Sequence, residues 1–92
     1  MIIGWKSNKL QKFFNKGNKK GINPKYVKEL NYLLAILDKA ERPSDMNIVG
    51  YNLHPLKGDK SKLYAVKVSA NYRLTFSFQG TNVVEVNLED YH

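Results

Sequence analysis

Two histidines carry the proton chemistry open to this chain. His54 sits in Tyr51-Asn52-Leu53-His54-Pro55-Leu56-Lys57-Gly58-Asp59-Lys60, and His92 closes Glu89-Asp90-Tyr91-His92. An imidazole titrates near ~6.5, so it both gives and takes a proton around neutrality. Pro55 restricts the backbone at His54 to an extended conformation. Lys57-Gly58-Asp59-Lys60 reads as a turn that brings the Lys57 and Lys60 ammonium groups towards the ring. Imidazole and ammonium together suit phosphodiester chemistry: one moves protons, the other stabilises charge on the phosphoryl oxygens. At the other cluster, Asp90 can accept a proton or orient an imidazole, and Tyr91 can stack on a base or donate from its hydroxyl. The bland alternatives are a surface histidine beside a proline and a frayed terminus.

The kit matches metal-free RNA cleavage. A base activates the ribose 2′-OH, a cation stabilises the crowded phosphorane, and an acid protonates the leaving 5′ oxygen. DNA lacks the 2′-OH and is not cut by this route. No cysteine is present, and the histidines and carboxylates show no zinc-ligand spacing, so neither a metal nor a cofactor is expected. Neither a glycine-rich phosphate loop nor a Gly-x-Ser-x-Gly motif occurs.

Charge is distributed unevenly. Residues 1–28 hold eight lysines and no acid, whereas residues 29–92 hold seven basic and eight acidic side chains, which accounts for the net +7. Such a lobe, with Lys9, Lys12, Lys16, Lys19 and Lys20 at its centre, attracts phosphate backbones through counterion release. A solvated lysine face is the equal alternative on composition alone. At 92 residues the chain is expected to form one domain over 1–92. It has no apolar run of bilayer length and opens without a secretory h-region, so a cytoplasmic protein with no membrane partner is expected.

The elements that must position these groups are readable. Met1–Trp5 is a candidate first strand. Ser7 can cap a helix from Asn8, with Leu10, Phe13 and Phe14 at helical spacing and Gly17 as its C-terminal stop. Asn23 and Pro24 open a second helix whose stripe runs through Tyr26, Val27, Leu30, Leu33, Leu34, Leu37 and Ala40 until Pro43. From there the period is two. Leu63–Ser69, Tyr72–Gln79 and Val83–Leu88 read as an antiparallel meander, with Tyr72, Leu74, Phe76 and Phe78 on its apolar face, continued by Val84, Val86 and Leu88. The fold class is therefore α+β, two N-terminal helices on one face of a small antiparallel sheet. The opposite face is expected to stay open and to display Arg73, Thr75 and Ser77 as an RNA platform.

Three separated motifs carry a family resemblance. They are Tyr51-x-Leu53-His54-Pro55-Leu56-Lys57-Gly58-Asp59, Val68-x-Ala70-Asn71-Tyr72-Arg73-Leu74-Thr75-Phe76, and the closing Glu89-Asp90-Tyr91-His92. In this order they resemble the HigB toxins of bacterial type II toxin–antitoxin modules, members of the RelE/ParE superfamily. The resemblance implies a RelE-like fold and a ribosome-dependent mRNA endonuclease that leaves a 2′,3′-cyclic phosphate or its hydrolysis product. It also implies inhibition by a cognate HigA-type helix-turn-helix antitoxin, through which alone operator DNA is bound. The implied catalytic residues are His54, Asp90, Tyr91 and His92, with His92 or Asp90 as base and His54 or Tyr91 as acid. Lys57, Lys60 and Arg73 would stabilise phosphate, and Asn71 would touch a base. The lysine lobe matches the family only in character; its charge suits docking on ribosomal RNA, away from the cut. Two other readings stand beside it: a ParE-like gyrase-binding toxin without RNase activity, and a small non-catalytic RNA-binding module.

Overall fold

Helix α1 spans Asn8–Lys16, and both of its ends follow from the sequence. The Ser7 hydroxyl accepts the Leu10 amide at 3.2 Å, and Gly17 closes the helix in the left-handed region at φ 68°. Asn23 caps a 3-10 turn over Pro24–Tyr26 that leads into α2, Val27–Lys39. The expected stripe is the buried one: Leu30, Leu33, Leu34 and Leu37 are all fully buried. Each contributes about 1.5–3 kcal/mol of burial. The computed structural model describes residues 1–58 and 62–90.

The sheet has four antiparallel strands in chain order: β1 (His54–Pro55), β2 (Tyr64–Lys67), β3 (Tyr72–Gln79) and β4 (Asn82–Asp90). The extended conformation that Pro55 imposes thus becomes a two-residue edge strand, with His54 opposite Ala65. Met1–Trp5 does not form a regular strand. It touches the outer edge of β4 through two parallel bridges, Ile2 with Val83 and Trp5 with Val86. Gly4 permits that approach, since a Cβ there would lie 3.3 Å from Val84 Cβ. The helices cover the face carrying Val66, Leu74, Phe76, Val83 and Val86. Among the described residues no helix is long and apolar enough to cross a membrane.

Two expectations about the sheet fail, each for a reason that period-two reading cannot see. A bulge interrupts the β3–β4 register between Thr75 and Ser77: Ser77 pairs with Val84, but Thr75 pairs with Asn87. The extra residue lies in β4 at Glu85–Val86, with Glu85 at φ 55°. Parity therefore switches along β4. Val83 before the bulge and Val86 after it are fully buried, while Val84, expected in the core, is only half-buried. The second departure concerns the helix-free face. Its centre is not displayed to solvent: Thr75 and Ser77 are 2% and 6% exposed. Small hydroxyl side chains on a central strand are shaded by their neighbours. Ser77 also turns its Oγ–H to the Lys62 carbonyl at 2.9 Å.

Candidate active site

Side chains of directly opposed residues share a face of the sheet, so the register sorts the candidate residues. His54, Ala65, Thr75 and Asn87 form one row across the helix-free face. Lys67, Arg73 and Glu89 form the next row on that face. His54 and Arg73 thus stand on the same side, two strands apart, roughly 10 Å in the pairing direction. Between them lies β2, whose Ala65 is fully buried and adds no bulk.

Both groups are held. The ring Nδ1 of His54 lies 2.8 Å from the carbonyl oxygen of Asn52, and a carbonyl only accepts, so Nδ1 carries the proton in that bond. In the neutral ring this leaves the lone pair on Nε2. The carbonyl is aimed by a left-handed turn at Asn52, φ 50°; asparagine tolerates that region better than most residues. Arg73 donates from Nε at 2.8 Å, and from Nη2, to the same carboxylate oxygen of Glu89. The pair is mostly withdrawn from water, with 20% and 23% of the two side chains exposed.

Asp90 is not gathered with them. It pairs with Tyr72, which packs its ring 5.3 Å from Tyr26 of the turn before α2. Asp90 therefore faces the helix side, where it lines a cleft of about 240 Å³ with Lys9, Tyr26 and Tyr72. The expectation that Asp90 shares one patch with His54 and Arg73 is not met; counted from the turn between β3 and β4, the one-residue shift at the bulge sets this parity. Lys57 is exposed and follows β1 towards the β1–β2 connection, while exposed Asn71 caps the opposite end of the sheet, beside Arg73. At that tip the Ser69 hydroxyl accepts the Asn71 and Tyr72 amides, each at 3.2 Å. Lys60, Tyr91 and His92 lie outside the described residues. Lys9, Lys12, Lys16, Lys19 and Lys20 are all exposed, on α1 and the segment after it. Lys9, Lys12 and Lys20 line a second cleft of about 310 Å³. Among the described residues, no three His, Asp or Glu side chains are grouped to hold a metal ion.

Sequence reasoning missed two partners, Asn52 and Glu89. The second had a signal, opposite charges on facing strands, but the unbulged register would place Arg73 opposite Leu88.

The family described as the RelE-like toxin of the type II toxin–antitoxin system HigB matches residues 4–92. The chain is 37% identical to the endoribonuclease HigB of Proteus vulgaris over 92 residues, the whole of both chains. In fold it is similar to the YoeB/ParE toxin of Agrobacterium tumefaciens, with a TM-score of 0.65 and 14% identity over the whole of both chains.

Proposed function

This chain belongs to the HigB family of RelE-like toxins of type II toxin–antitoxin systems, and from that premise we propose that it is an endoribonuclease cutting translated mRNA on the ribosome. The cut is made by attack of a ribose 2′-OH on the adjacent phosphate, without a metal ion. The observation that carries this reading is the tethered imidazole of His54, 2.8 Å from the Asn52 carbonyl, on the same face as Arg73.

In this scheme Nε2 of neutral His54 takes the 2′-OH proton. The 2′ oxygen bonds to phosphorus, and the bond from phosphorus to the 5′ oxygen breaks. Arg73 stabilises the charge that builds on the phosphoryl oxygens. The departing 5′ oxygen takes a proton from Tyr91, one of the two acids that the sequence resemblance implies. The products are a 2′,3′-cyclic phosphate and a 5′-hydroxyl. Asp90, on the helix side at the end of β4, is not the base in this scheme. Lys57 and Asn71 contact the message at the two ends of the face, and Lys60 adds a phosphate contact that rests on the sequence resemblance.

Ribosome dependence follows from how few these groups are. Holding the message in line with the 2′ oxygen can supply up to ~7–11 kcal/mol of the barrier. The exposed lysines Lys9, Lys12, Lys16, Lys19 and Lys20 dock the protein on ribosomal RNA. A type II toxin implies a cognate antitoxin; we take it to be a HigA-type helix-turn-helix protein that alone contacts operator DNA. The site of action is the cytoplasm.

The test is to map mRNA 5′ ends after brief induction, with and without active ribosomes, for the wild type and His54→Ala. New ends inside coding regions should arise only in the wild type, and only while ribosomes translate. Identical ends from a folded His54→Ala variant would contradict the assignment. A variant that stays toxic without any cleavage would point to a gyrase-binding toxin instead.

A further inference from the structure

We infer that Glu89 is a positioning residue of this face: its carboxylate fixes the Arg73 guanidinium in the orientation that meets the scissile phosphate. The inference rests on the proposed function, because it takes Arg73 as the phosphate-facing cation.

An arginine side chain loses much rotamer freedom when it is held in one place. Without a tether that loss would fall within the reaction itself. In this fold it is incurred before any message binds. Nε and Nη2 form one edge of the guanidinium, and both donate to the same oxygen of Glu89. That contact fixes the plane of the group and leaves Nη1 at the end remote from Glu89. The two side chains are about four-fifths buried, so this is not a screened surface pair of negligible effect. The pairing also depends on a dedicated feature of the backbone. Ahead of the bulge, Gln79, Phe78 and Ser77 face Asn82, Val83 and Val84; after it, Arg73 faces Glu89. With the natural number of residues in β4, it is the bulge that brings the two charges together.

A carboxylate in this place opposes raw phosphate affinity, since it repels the anion that Arg73 would attract. A face built only to hold RNA would lack it. Its presence fits a requirement for orientation, which is expressed in the rate of the bound complex and not in binding.

The experiment is single-turnover cleavage of a defined message on programmed ribosomes, with toxin varied to give kcat and half-saturation separately. Melting curves accompany each variant. Glu89→Ala should lower kcat by about tenfold to a hundredfold with half-saturation unchanged or lower. Glu89→Gln keeps an acceptor oxygen and should recover kcat to within about threefold of the wild type. Arg73→Ala and the double variant Arg73→Ala/Glu89→Ala should agree within about twofold, because the positioning effect of Glu89 on cleavage runs through Arg73. If Glu89→Ala does not fold, Glu89→Asp, which withdraws the carboxylate by one methylene, takes its place with the same expectation. The inference is overturned if the Glu89 and Arg73 losses multiply, if removing Glu89 leaves kcat unchanged, or if it raises cleavage. A wild type that cuts no message sinks the proposed function itself; normal wild-type cutting with an unaffected Glu89→Ala sinks only this inference.

Discussion

Tyr72 and Asp90 stand directly opposite each other across β3 and β4, and one residue along, Arg73 faces Glu89 on the other side of the sheet. Adjacent positions on the same two strands thus serve opposite faces. Asp90 belongs with the helices and Arg73 with the imidazole. Under the proposed mechanism the proton is moved by His54 and not by Asp90. Asp90→Asn should keep the shape of the pH–rate profile of message cleavage, whatever its effect on the maximum rate. Loss of the profile's limb in that variant would return the proton acceptor to Asp90.

The bulge is itself testable. Glu85 occupies the left-handed region at φ 55° without being glycine. Glu85→Gly should therefore be neutral or stabilising by up to ~1 kcal/mol, and Glu85→Val destabilising by about 1–2 kcal/mol, in denaturant unfolding. Deleting Glu85 takes out the extra residue and regularises the strand, yet leaves Arg73 opposite Glu89 and Ser77 opposite Val84. A folded deletion variant should therefore keep cutting. Loss of cleavage in a folded deletion variant would show that the site needs more of this strand than the row it supplies.

Much of the fold is legible in the sequence. Ser7, Gly17, Asn23 and Pro24 mark the helix ends because caps act locally, and the leucines of α2 declare its buried side by spacing alone. The meander and its turns are equally plain. The bulge is not, since residues 82–90 alternate well enough for either parity and only the pairing with β3 decides. The same holds for Thr75 and Ser77. Their side chains are polar, but a central-strand position buries them, and the Lys62 carbonyl that satisfies Ser77 is fifteen residues away in sequence. His54 is found by its chemistry, whereas Asn52 contributes only a backbone oxygen, which no side-chain pattern announces.

That oxygen gives a second prediction about the site. Asn52 aims its carbonyl from φ 50°, so Asn52→Gly, which adopts the same backbone freely, should retain cleavage. Asn52→Val should destabilise the protein by about 1–2 kcal/mol and slow cleavage, because the His54 tautomer loses its anchor. Equal rates in the two variants would show that Asn52 has no part in holding the ring.

On the outer side of α2, the Tyr51 hydroxyl donates to a Glu29 carboxylate oxygen at 2.9 Å. The hydrogen bond to Glu29, then burial, then the Glu29 charge hold the Tyr51 pKa above its ordinary value of 10.0. A proton is therefore bound more tightly in the folded state. The resulting stability is fully present below pH 10.0 and is lost as pH rises through the raised folded value. Ultraviolet titration of the wild type against Tyr51→Phe should show this phenol ionising late, and Glu29→Gln should bring its titration down. Unchanged titration in Glu29→Gln would show that the carboxylate is not what holds the phenol proton.

The lysine lobe predicts a salt effect. Replacing Lys9, Lys12, Lys16 and Lys20 with Gln should weaken ribosome binding. It should also flatten the log–log salt dependence by up to about one unit per lysine that contacts phosphate. Binding that stays the same across a salt titration would place the ribosome-docking surface elsewhere.

The central claim is that the ribose 2′-OH is the nucleophile, activated on the His54 face. It is tested most directly with a programmed ribosome carrying a message in which a single 2′-deoxy nucleotide lies immediately 5′ of the cut. This message should remain intact under conditions in which the all-ribose message is cut to a 2′,3′-cyclic phosphate. Cleavage of the deoxy-substituted message at the same bond would contradict the claim.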